Sequence, residues 1–239
     1  MAKLDSTTAR TECRTQIRRM ARWGYSRTPV PSRLTIDRFR KAQILSLEES
    51  TASSLIVRLR NEQPDAWERL VKLYAPLVYQ WTRRVGLADD DAADVGQEVF
   101  RTVFGKIGEF DRRKSGAFRA WLWTITRNKI GDYLKKRKAA EQGFGGSDSR
   151  LKNAATFEMR FGSDSEDESK DHQTIFAAAL RLIQTDFQEQ TWQAFWRVTI
   201  ENQSVQQVAE DLGMEPKAIR QAKYRVLKRL REEFADLFE

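Results

Sequence analysis

Cysteine and histidine are almost missing from this 239-residue chain: Cys13 and His172 are the single examples of each. One cysteine excludes an internal disulfide framework, and one histidine cannot supply the Cys/His sets that hold zinc. Neither sits in a pattern that suggests catalysis. Glycine (12) and proline (5) are too sparse for the many turns of an all-β fold but leave long helices free to form. No apolar run approaches the roughly 18 residues that span a bilayer, and the N-terminus lacks the apolar stretch of a signal peptide. The expectation is an all-α protein in the cytoplasm, with no membrane insertion, metal or cofactor.

Charge is abundant but unevenly placed. The net charge is +8, and residues 1–44 account for it, with 11 Lys/Arg against 3 Asp/Glu. Elsewhere cations and anions balance, yet residues 111–138 hold 10 cations and 2 anions while 158–171 hold 6 anions and 2 cations. Segregated charge marks where a polyanion can sit better than net charge does.

The composition divides the chain into four parts. Residues 1–44, rich in Arg, Ser, Thr and Pro, read either as a disordered or loosely helical basic extension or as a stretch upstream of the native start. Residues 45–140 carry helical periodicity throughout. Gly, Ser and acid dominate 141–171, the composition of a flexible acidic linker, and helical patterning resumes over 172–239. The expected fold is therefore two small helical domains joined by that linker.

Within the first domain, SSLIVRLRNEQ predicts a short helix and PDAWERLVKLYAPLVYQWTRRVG a longer one, with Pro64 in its first turn and a kink at Pro76. In ADDDAADVGQEVFRTVFGKIGEF, Val95, Val99, Val103 and Ile107 recur at helical spacing with Phe100 and Phe104 beside them. Asp89, Asp90 and Asp91 precede them without EF-hand spacing, so N-terminal capping is expected rather than metal binding. The next helix, FRAWLWTITRNKIGDYLKKRK, is unusual. Its large apolar residues spread over roughly 220° of arc, more than one core face requires. Rings beside cations suit single-stranded nucleic acid, where bases stack and Lys/Arg follow the backbone; the competing reading packs Trp121, Trp123 and Tyr133 against neighbouring helices.

The C-terminal segment SVQQVAEDLGMEPKAIRQAKYRVLKRLRE has the pattern of a helix-turn-helix: Ala209 at the crossing, Gly213 in the turn and Ile219 facing back. Val205, Val208 and Leu212 form one inner face, with Ile219, Ala222, Val226, Leu227 and Leu230 opposite. Lys217, Arg220, Gln221, Lys223, Tyr224 and Arg225 stand near the start of the second helix, placed for a major groove.

Taken in order, D-V-G-Q-E-V-F at 94–100, the aromatic-basic helix, the acidic linker and the terminal helix-turn-helix resemble the bacterial RNA polymerase sigma factors of the extracytoplasmic-function (ECF) group. The resemblance spans about residues 50–238. It implies a dissociable subunit that directs core RNA polymerase to promoters and assists their melting. It implies a β′-clamp surface at Asp94, Gln97, Glu98, Phe100 and Arg101. The turn from Phe110 through Arg112, Arg113 and Lys114, with Arg127, Asn128, Lys129 and Asp132, would read the melted minus-ten strand, and Lys135, Lys136 and Arg137 would hold its phosphates. The helix-turn-helix residues would read the duplex minus-thirty-five element. Implied partners are core polymerase (β and β′), promoter DNA and, as in many family members, an anti-sigma factor; the free protein is expected to be monomeric. The resemblance supplies no role for the basic extension. Rival readings are a stand-alone helix-turn-helix regulator, dimeric on a palindrome, and a nuclease using Asp89–Asp91 and Asp94. Against an enzyme, no nucleophile, histidine base or paired carboxylates are placed for phosphoryl chemistry.

Overall fold

In the computed structural model, residues 55–61, 63, 65–110, 118–142 and 165–234 are described. The basic extension, Pro64, the turn 111–117 and most of the acidic linker lie outside them. Eight α-helices and one 3-10 turn, with no strand, make up the described residues: α1 Leu55–Arg60, α2 Ala66–Arg84, α3 Asp89–Lys106, the 3-10 turn Ile107–Glu109, α4 Phe118–Gln142, α5 Ser165–Gln184, α6 Glu189–Thr199, α7 Val205–Leu212 and α8 Pro216–Phe234. The all-α expectation holds. α2 continues through Pro76.

The described residues fall into two compact units, one from Tyr74–Asp171 and the other from 55–73 with 172–234. This differs from a division at the acidic linker in two respects. Residues 55–73 belong with the C-terminal helices, and 165–171, expected in the linker, are helical. Leu55, Ile56, Leu59, Leu70 and Leu73 are buried, and within each unit an ion pair that composition does not reveal joins distant segments: Glu233 of α8 is held by Arg69 of α2, and Asp171 of α5 by Arg84 and Arg119.

In the first unit, α3 packs on α4. Ala92, Val95, Gly96, Val99, Phe100 and Val103 form the buried stripe of α3. Ala88, not an aspartate, is its N-cap, and no side chain caps it. The three aspartates instead occupy the first turn, where negative charge complements the helix dipole. Asp89 also accepts a hydrogen bond from the Tyr79 hydroxyl (2.9 Å) and pairs with Arg83 (3.0 Å), and Asp91 accepts from Tyr133. Both phenol pKa values are raised, by burial and then the Asp89 bond for Tyr79, and by the Asp91 bond and then burial for Tyr133. No cluster suited to a metal ion occurs among the described residues, and no described helix is long and apolar enough to cross a membrane.

In the second unit, Ala194 of α6, Val208 and Ala209 of α7, and Ile219 and Ala222 of α8 form one core cluster, flanked by Val198, Val205, Leu212 and Met214. Ser204 caps α7 by accepting from the Gln207 amide at 3.2 Å. Gly213 ends α7 at φ +62°, a left-handed conformation in which a side chain is disfavoured. Three residues therefore suffice to turn the chain into α8.

Candidate nucleic-acid interface

α4 is 25 residues long, and its wide apolar arc has a packing explanation. Phe118, Leu122, Ile125 and Ile130 are buried. The remaining rings each meet another ring or a carboxylate. Trp121 contacts Phe110 and Phe118 at centroid distances of 5.1 and 5.4 Å, Trp123 meets Trp81 of α2 edge-on at 4.9 Å, and Tyr133 bonds Asp91 of α3. Helix α4 thus spends its aromatics on neighbours at several angles around its axis, and none is exposed.

The exposed side of α4 is polar. Thr124, Arg127, Asn128, Asp132 and Lys135 are solvent-facing, and steps of three and four residues keep them on one stripe. Lys136 and Arg137 are also exposed, while Lys129 is half-buried. Lys135 lies 3.9 Å from Asp132, a loose exposed pair that leaves the cation available to other anions. Phe110 is 3% exposed and packs on Phe118 at 5.5 Å, so it supports α4 from within rather than offering a stacking surface. Arg112, Arg113 and Lys114 lie outside the described residues.

On α3, Asp94, Glu98 and Arg101 share an exposed face, with Glu98 bonded to Arg101 and Gln97 half-buried at its edge. Phe100 does not join them. It is 1% exposed, because its position follows the buried stripe of Val99 and Val103. The exposed ring is Phe104, at 46%, one turn on from Phe100 and beside Arg101. Sequence reading named it only as an apolar neighbour of the valines.

On α8, Lys217, Arg220, Gln221 and Tyr224 form an exposed stripe, with Tyr224 61% exposed and Arg225 at its flank. Lys223 is half-buried, turned toward the side carrying Ile219, Ala222 and Val226. Lys228, one turn beyond Tyr224, extends the stripe and was missed; the i+4, i+7, i+11 spacing from Lys217 would have found it. The stripe combines cations and hydrogen-bonding groups on a helix whose opposite side closes the core cluster, the arrangement a groove-reading helix requires.

Comparisons with known proteins now bear on these surfaces. The family profile of sigma-70 region 2 matches residues 70–140, which include α3 and nearly all of α4. Over 72 residues the chain is 33% identical to the ECF RNA polymerase sigma factor SigE of Mycolicibacterium smegmatis, covering 30% of this chain and 27% of that protein. It is 29% identical over 110 residues to the ECF RNA polymerase sigma factor RpoE of Cereibacter sphaeroides (45% and 60%), and 29% over 83 residues to the ECF RNA polymerase sigma factor SigW of Bacillus subtilis (35% and 43%). The chain contains a sigma-70 region 2 segment and is similar in sequence to ECF sigma factors. The matches span from about a quarter to three-fifths of the length of these curated relatives. The polar face of α4 and the acidic-basic face of α3 both fall inside the matched region 2 segment, whereas the α8 stripe falls outside it.

Proposed function

We propose that this chain binds core RNA polymerase, directs it to promoters and assists their melting. The observation that carries the reading is the match to sigma-70 region 2 over residues 70–140, within which α4 turns its rings inward and a polar, cationic stripe outward. Arg127, Asn128 and Asp132 supply donors and acceptors for unpaired base edges, and Lys135, Lys136 and Arg137 neutralise phosphates. Asp94, Gln97, Glu98 and Arg101 of α3 form the surface for the β′ subunit, with Phe104 as the apolar contact that Phe100, being buried, does not provide. Lys217, Arg220, Gln221, Tyr224, Arg225 and Lys228 of α8 contact the upstream duplex. Transcription places this work in the bacterial cytoplasm.

The test is capture of bacterial core RNA polymerase by the purified full chain, repeated with Gln97 and Glu98 both changed to alanine and with Phe104→Ala. Stoichiometric capture by the wild type, weakened in both variants, supports the function and the surface together. A folded protein that captures no core enzyme, where a known sigma factor does, refutes it.

A further inference from the structure

The last acid of the segment expected to be a linker is buried. Asp171, the seventh residue of α5, is 3% exposed and belongs to the first unit. Its Oδ2 accepts hydrogen bonds from the Trp81 indole Nε1 at 3.0 Å and from Arg119 Nη1 at 3.1 Å. Its Oδ1 lies 3.3 Å from Arg84 Nη1 and accepts no hydrogen bond. Burial outweighs these partners and raises the carboxyl pKa. A buried ion pair is a poor source of stability, because well-packed apolar groups do as well or better. What a carboxylate adds is direction: a guanidinium is a planar fork, and an anion fixes its orientation.

Arg119 is the second residue of α4. Trp81 and Arg84 both come from α2, so one carboxylate ties the start of α4 to the end of α2. The T-shaped contact between Trp81 and Trp123 lies one turn further along α4. We propose that Asp171 is a positioning residue for promoter opening: by holding Arg119 against Trp81 and Arg84 it fixes the first turns of α4, and with them the outward stripe from Thr124 to Lys135. The inference rests on the sigma-factor reading of α4.

Asp171→Asn in the full chain is the informative variant. The site disfavours charge, so the neutral near-isostere keeps folding stability close to wild type, while Arg119 loses its anionic anchor. Glu233→Gln is the companion, lowering stability through the α8 ion pairs without touching Asp171 or α4. Two quantities are measured: hydrogen exchange of the amides from Leu122 to Thr126, and permanganate reactivity of promoter thymines with reconstituted holoenzyme at saturating chain.

Asp171→Asn is expected to speed exchange and to slow opening by about tenfold or more, the scale of a small misplacement of a reactive surface, with core affinity unchanged. Glu233→Gln is expected to leave opening near wild type even where its melting temperature falls. Unchanged exchange in Asp171→Asn overturns the inference. So does slowing of opening in both variants in proportion to lost thermal stability, which marks a merely structural role. A wild-type chain that opens no promoter removes the sigma reading itself, and the exchange comparison then still decides whether Asp171 holds α4.

Discussion

Glu233, near the end of α8, has a side chain with no solvent exposure, and three arginines surround it. Arg69 Nε donates to Oε1, Arg58 Nη1 lies 4.0 Å from the same oxygen, and Arg229 Nη2 lies 3.0 Å from Oε2. Changing Glu233 to Gln keeps the volume and removes the charge that compensates these cations. Breaking a buried pair from one side costs about 3–5 kcal/mol. Here Arg58 and Arg69 retain 17% and 21% side-chain exposure, and Arg58 keeps Asp65 as a second partner, so water and Asp65 absorb part of the loss. An estimate of about 2–3 kcal/mol follows, which lowers the melting temperature by about 5–10 °C for a chain of this size. The assay is urea denaturation followed by far-UV circular dichroism for wild type, Glu233→Gln, Arg69→Gln and the double variant. A coupling energy of about 1 kcal/mol or more between the two positions is expected. A Glu233→Gln variant within about 0.5 kcal/mol of wild type, with no coupling to Arg69, would refute the assignment of residues 55–73 to the C-terminal unit through this contact.

Other outcomes follow from single sites. Gly213→Ala, forced to keep φ near +62°, should destabilise the second unit by about 1–2 kcal/mol; a neutral result in thermal denaturation would mean that the α7–α8 turn relaxes. Ser204→Ala removes the N-cap of α7 and should cost about 1 kcal/mol in the same assay. The raised pKa of Asp171 gives a signed pH effect: its favourable contribution is complete below the unfolded value of 3.8 and is lost as pH rises through the folded one. Wild type should therefore gain stability relative to Asp171→Asn as pH falls from neutral toward about 4, and an unchanged difference in urea midpoints would contradict it. For holoenzyme on promoter DNA, Lys217→Ala and Arg220→Ala should each reduce the slope of log affinity against log salt by about 1, and unaltered slopes would remove both from the phosphate contacts.

Much of the second unit was legible in advance. Val208, Ala209, Ile219 and Ala222 were expected to face inward and are buried, and Gly213 takes the left-handed turn its position required. The buried stripe of α3 was also readable, because helical periodicity alone separates Val95, Val99 and Val103 from Asp94 and Glu98. The family resemblance, not periodicity, placed Phe100 and Phe110 at partner surfaces; both are buried, while Phe104 is exposed. The aromatics of α4 were open to two readings, and only their contacts with Trp81, Phe110 and Asp91 decide for packing.

By itself the sequence determined the helical class, an order of motifs that resembles the ECF sigma factors, and the inner faces of the helices flanking the Gly213 turn. Those features are local, written in spacings of three and four residues that any single helix carries. Only the tertiary structure decided that Arg69 meets Glu233, 164 positions away, and that Asp171 is buried against Trp81, Arg84 and Arg119. An isolated charge in a sequence looks solvated until a partner from a distant helix closes over it. Which charges are buried is a property of the packed elements together and of no one element's pattern.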